Sequence, residues 1–140
     1  MKKTLSVFVC IGCCLFSSAQ QKNKIVVETL LKTDTSYAGQ KLVYPSADST
    51  ETTLAKVTIP PGVSTGWHKH DHPLFGYIQQ GELTVEREGA PVFVMKPGMA
   101  YAEVTELWHN GTNKGTVDCI LIVVYTGVKH HPVSVKREGF

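Results

Sequence analysis

The sequence predicts a single all-β domain, a sandwich or small barrel, on three observations. No window keeps a helical period for more than about two turns. Runs rich in Val, Ile, Thr, Tyr and Phe recur at even spacing along the chain. Between them stand turn-forming clusters: Pro60-Pro61-Gly62, Gln80-Gly81-Glu82, Glu88-Gly89-Ala90-Pro91, Lys96-Pro97-Gly98 and Asn110-Gly111-Thr112-Asn113. With 140 residues, 42% of them hydrophobic, the chain suffices for one domain with a substantial core.

In chain order, residues 1–19 read as a secretory leader. Lys2 and Lys3 give a positive start, Leu5 to Phe16 is apolar, and Ser17 and Ala19 supply small residues before a cut ahead of Gln20. The apolar run is short for a membrane span, so an exported protein, periplasmic or secreted and off the membrane after cleavage, is expected. Losing Lys2 and Lys3 takes 14 basic residues to 12 against 12 acidic ones, and the formal charge from +2 to zero. That balance, with no Lys/Arg run, speaks against a nucleic-acid face. Three of the four cysteines leave with the leader, so disulfides do not hold this fold; Cys119, inside an apolar run, reads as a core residue.

Residues 20–50 form an N-terminal leader with edge strands, one at Ile25–Leu31 and a short one at Leu42–Pro45. The domain core spans 51–128. Its strands are expected at Thr52–Ile59, Thr65–His70, Leu74–Gln79, Glu82–Arg87, Val92–Met95, Met99–Val104, Leu107–Asn110 and Val117–Tyr125. Val117–Tyr125 is apolar on both faces apart from Asp118 and should be central. In Glu82–Arg87, Leu83 and Val85 should point inward, with Glu82, Thr84 and Glu86 outward. A tail, 129–140, holds a last short strand at Val133–Lys136.

The chemistry concentrates at His68, His70 and His72. Alternate residues of a strand share a face, so His68 and His70 aim two imidazoles at one point, as a divalent metal needs. His109, from a distant strand, can supply a third. His72 has the same parity, but Pro73 follows it and a regular strand carries it past the metal; it is either a further ligand and proton shuttle or a rim residue. Glu103 lies among Tyr101, Ala102 and Val104, where an unpaired carboxylate is costly. It is either a fourth metal ligand or general base, or a rim glutamate that faces solvent or pairs with a lysine. Glu106 falls in a turn. Phe75, Tyr77 and Tyr101 are candidates for the cavity wall, whereas Trp67 and Trp108 fall off the ligand face.

Two spacings resemble a known family. Gly62, then His68-x-His70, then Gly81 is similar to the first cupin motif. Gly98, with His109 eleven residues on and Asn113 four further, is similar to the second. The resemblance runs from about Leu54 to Gly127. It implies a jelly-roll β-barrel whose interior holds one divalent transition metal (Fe, Mn, Zn, Ni or Cu) on His68, His70 and His109, with Asn113 shaping a turn. Single-domain members often dimerise, so a homodimer is expected. The chain departs where the family carries a glutamate after its second histidine: Leu74 and Phe75 stand there and cannot bind metal, which makes the cavity more apolar.

Three functional readings follow. Three protein ligands leave coordination positions open, which suits a metal-dependent enzyme, dioxygenase or isomerase, acting on a small-molecule substrate. A non-catalytic module that captures a small molecule or sugar is the alternative. A structural metal would instead want a closed shell of four protein ligands.

Overall fold

A computed structural model of the chain describes residues 25–46 and 48–139. The expected leader at 1–19 lies outside the described residues. Among the described residues nine strands form: β1 (Thr50–Ile59), β2 (His68–Lys69), β3 (Leu74–Gln80), β4 (Leu83–Arg87), β5 (Phe93–Met95), β6 (Ala100–Ala102), β7 (His109–Thr112), β8 (Cys119–Val128) and β9 (Val135–Lys136). They make two antiparallel sheets, in the orders β1-β8-β3-β6 and β5-β4-β7-β2-β9. The all-β expectation holds, and the arrangement is consistent with a jelly roll. The closed barrel does not: no strand pairing joins one sheet to the other among the described residues.

Alternation sets which residues meet between the sheets. On β8, Cys119, Leu121 and Val123 are buried while Ile120, Ile122 and Val124 are half-buried. On β3, Leu74 and Ile78 are buried. From the other sheet come Leu83, Val85 and Met95, and together these side chains form one core. The run around Cys119 is central as expected, since β8 lies between β1 and β3, and the Cys119 side chain is fully buried.

Three expectations need correction. Ile25–Leu31 forms no strand: it has β-forming residues but pairs with none of the sheet edges among the described residues, and Ile25, Val26 and Val27 are largely exposed. Leu42–Pro45 forms none either. There the chain folds back on itself, with a Thr35–Lys41 bridge and the Leu42 N–H donating to Asp34 O at 2.9 Å. Thr84 keeps the outward parity, opposite to the core residues Leu83 and Val85, but it is buried and not open to solvent.

Two turns show why their residues are there. Gly81 has φ +67°, and a Cβ there would lie 2.6 Å from Asp118 O, so only glycine fits. Asn113 is fully buried and ties two strand ends together. Its Nδ2 donates to Ile59 O and Val117 O, both at 2.8 Å, and its Oδ1 accepts from Gly115 N–H at 2.9 Å. Asn113→Ala strands these groups in the interior. A loss of about 2–4 kcal/mol is expected, read as a lower denaturant midpoint at unchanged slope; an unchanged midpoint would show that this side chain does not hold the turn.

Candidate metal centre

His68 and His109 are opposite residues of β2 and β7. Adjacent strands therefore do the work that the sequence left to a distant one. His70 follows two residues after His68 and completes the group. Ring centroids lie 4.4 Å (His68–His109), 5.0 Å (His68–His70) and 5.1 Å (His70–His109) apart. One ligand atom of each ring lies within 4.8 Å of the others.

The hydrogen bonds fix which nitrogen is available. His68 Nδ1 lies 2.8 Å from Gly66 O, His70 Nδ1 2.7 Å from Val133 O, and His109 Nδ1 2.9 Å from Leu107 O. A carbonyl only accepts, so each Nδ1 carries the proton and each Nε2 is left with its lone pair. Anchoring of this kind orients metal-binding imidazoles. Burial also keeps the rings neutral. It lowers His68, takes His70 down to about 4 and His109 down to about 3. Three neutral, oriented imidazoles fit a divalent transition metal.

A cavity of about 480 Å³, counting its open mouth, spans both sheets around these rings. Its wall is mainly aliphatic, with Val57, Leu74, Leu83 and Val123 among the contributors. Leu74, in the stretch where the resemblance placed a cupin glutamate, lines this cavity. Tyr101 lines it, and its ring lies across Gly76: a Cβ there would fall 2.2 Å from Tyr101 Cζ.

Glu103 lines the same cavity at 5% exposure, outside the three-imidazole ligand set. Its Oε1 accepts from Val104 N–H at 2.9 Å. Burial pushes its carboxyl up to about 7, against the opposing pull of the Val104 N–H, Arg87 and Tyr37. The Tyr37 hydroxyl is buried and has no well-formed hydrogen bond. It lies within electrostatic reach of Glu103 and Arg87, and the Arg87 guanidinium sits 5.5 Å from its ring centroid. Burial, reinforced by Glu103, raises both tyrosine hydroxyls, Tyr37 and Tyr101.

The remaining candidates are placed elsewhere. His72 lines a separate surface cleft with Glu51, Asp71 and His131. Phe75 and Tyr77 have the opposite parity to Leu74 and Ile78, so they face away from the cavity, and Phe75 stacks on Tyr44. Glu106 is exposed and pairs with Lys69.

Sequence reasoning missed Tyr125, which lines the cavity beside His70 with ring centroids 6.0 Å apart. Its parity with Leu121 and Val123 was a usable signal. It also missed Tyr37 and the Val133 carbonyl, which lie in irregular segments with no periodicity to follow.

An all-β protein with three converging imidazoles at an apolar cavity is the class that fold and site define. The cupin domain family profile matches residues 55–125, half of the chain, and the chain belongs to that family. No curated protein sequence matches it. Among solved structures it is similar to a cupin-like protein from Thermotoga maritima (21% identity, TM-score 0.56, covering 61% of this chain and 64% of that one). It is also similar to a DMSP lyase from Ruegeria pomeroyi (22%, TM-score 0.53, 67% and 47%). A third is an oxalate oxidase in complex with the substrate analogue glycolate (22%, TM-score 0.51, 60% and 45%). The chain thus spans less than two thirds of each of these proteins, and at such identities the likeness is one of fold.

The titrating groups predict how the metal-free protein responds to pH. His70 and His109 have depressed folded values, so their contribution is present above about 6.5 and is lost as pH falls towards 4 and 3. Glu103 is raised, so its contribution is complete below 4.5 and is lost as pH rises through about 7. Glu103→Gln should therefore flatten the loss between pH 5 and 8 and leave the acid limb intact. A thermal-melt series in which both limbs are unchanged would remove Glu103 from the buried set.

Proposed function

We propose that this protein is an exported, metal-binding cupin enzyme, of dioxygenase or isomerase type, acting on a small molecule between its two sheets. The sheets then form the flattened barrel of a jelly roll. The observation that carries the reading is the set of three imidazoles whose ligand atoms lie within 4.8 Å of one another, each with Nδ1 committed to a carbonyl, in a cavity that a buried carboxyl also lines. His68, His70 and His109 would hold a divalent transition metal, leaving coordination positions for substrate. When bound, the metal supplies Lewis acidity or, if it is iron, copper or nickel, redox chemistry with dioxygen.

The chain's own residues do the rest. Glu103, held near neutral pH at the point of titration, can take or return a proton at the carboxylate oxygen not used by Val104 N–H. The aliphatic wall excludes water and seats an apolar substrate body. Among the described residues no Lys or Arg lines the cavity, so a phosphate or second carboxylate on the substrate would find no fixed cation among them. A compact substrate with a chelating oxygen pair, enolic or phenolic, suits this arrangement. The oxalate oxidase and DMSP lyase neighbours bear such names for themselves and support only the idea that this fold hosts reactions on small molecules.

His68→Ala should cut bound metal at least tenfold and abolish turnover, with a far-UV spectrum close to wild type. Metal content by elemental analysis decides the ligand assignment, and retention at the wild-type level would overturn it. Glu103→Gln separates catalysis from capture: metal and ligand affinity stay, while kcat falls by about 10²–10⁴ as for a lost general acid–base. Saturable binding with no turnover in any metal form would identify a capture module instead.

A further inference from the structure

Glu103 is held by a segment that precedes the family match, which begins at residue 55. Residues 35–41 form a closed loop. Thr35 and Lys41 bridge across it, Ser36 N–H donates to Gln40 O at 2.7 Å, and Ser36 Oγ accepts from Gln40 N–H at 3.1 Å. This loop takes hold of the chain on both sides of Glu103. Tyr37 N–H donates to Ala102 O at 2.8 Å, one residue before it. Two residues after it the Gln40 amide closes on Thr105: Nε2 donates to Thr105 O at 2.9 Å, and Oε1 accepts from Thr105 N–H at 2.8 Å. A side-chain amide has the donor and the acceptor to satisfy both backbone groups of one residue, as a paired strand would. Glu103 N–H itself donates to Leu74 O on β3 at 3.0 Å, so the backbone beneath the carboxyl is fixed.

The same loop aims one side chain inward. The Tyr37 ring stacks on Phe93 with centroids 5.0 Å apart, and the Arg87 guanidinium lies 5.5 Å from its centroid. Among the described residues its hydroxyl is the one buried side-chain polar atom without a well-formed hydrogen bond. A buried hydroxyl in that state calls for a reason. Glu103 lies within its electrostatic reach, with one carboxyl oxygen on Val104 N–H. The other groups that face Glu103 are Arg87 on β4 and Tyr101 on β6, while the three imidazoles sharing its cavity are neutral. The Tyr101 hydroxyl is set across Gly76, which leaves Tyr37 as the uncommitted donor.

We propose that Tyr37 is a positioning residue for Glu103: the 35–41 loop holds its hydroxyl beside the carboxyl, and the hydroxyl donates to the carboxylate formed when Glu103 gives up its proton. The role rests on the enzyme reading above, in which Glu103 takes and returns a proton. Donation to an ion is stronger than donation to a neutral acid. The hydroxyl therefore favours the ionised form and keeps the carboxylate in one orientation towards the cavity. Without it, Val104 N–H and Arg87 alone oppose the effect of burial.

Tyr37→Phe keeps the ring between Phe93 and Arg87 and removes only the hydroxyl. In the purified protein, an infrared band of a protonated carboxyl that Glu103→Gln abolishes reads the Glu103 proton without any substrate. Its pH midpoint should rise by about one unit in Tyr37→Phe, and the carboxylate stretch above that pH should shift as its donor is lost. Far-UV spectrum and metal content stay as in the wild type. Gln40→Ala, which keeps the hydroxyl and opens the clasp on Thr105, should move the midpoint in the same direction. A midpoint at the wild-type value in either variant would overturn the proposal. So would a wild type with no such Glu103 band at a pH well below the raised value of about 7. A protein without turnover would sink the enzyme reading and still show the shifted band; an active enzyme with an unshifted band would sink this inference alone.

Discussion

The site depends on one cross-strand pairing, His68 opposite His109, because everything else about the metal centre is built outward from it. Opposite residues on antiparallel strands bring their side chains within contact, which turns a separation of 41 positions in sequence into rings 4.4 Å apart. The period of two then places His70 on the same side. With the rings together, three backbone carbonyls settle their tautomers, and these come from three separate places: Gly66 and Leu107 just ahead of their own histidines, and Val133 in the C-terminal tail. The tail thus belongs to the candidate metal site, and β9 pairing with β2 holds it there.

Around that pairing the groups are buried, and the few polar ones work under strong desolvation. The imidazoles respond by staying neutral, as ligands must. Glu103 responds by holding its proton to about pH 7. Both shifts have the same cause and opposite signs, because burial disfavours a cation in one case and an anion in the other. Tyr37 and Arg87 belong to the same electrostatic group and link the N-terminal segment to the cavity wall.

Much of this was legible in the residues. The HxH pair, the glycine and proline punctuation and the buried run at β8 placed the core strands to within a few positions. Errors fell where a local pattern had no local partner. Ile25–Leu31 looks like a strand by composition, yet it runs exposed and pairs with none of the sheet edges among the described residues. Phe75 and Tyr77 look like cavity aromatics by type, yet Leu74 took the inward phase and sent them out. His72 continues the histidine parity, but Pro73 follows it and the side chain lines a different cleft.

By itself the sequence determined the class of fold and the identity of the three imidazoles, and left Glu103 open between a buried site and the rim, which the structure decides for burial. The first two follow from periodicity and turn chemistry, both readable along one dimension. Only the tertiary structure decided that His109 lies directly across from His68, that a carbonyl from the tail holds His70, and that Tyr37 and Tyr125 approach the site. The reason is physical: parity says which side of a strand a residue occupies, but which strands become neighbours, and which irregular segments fold over them, is set by packing across the whole chain.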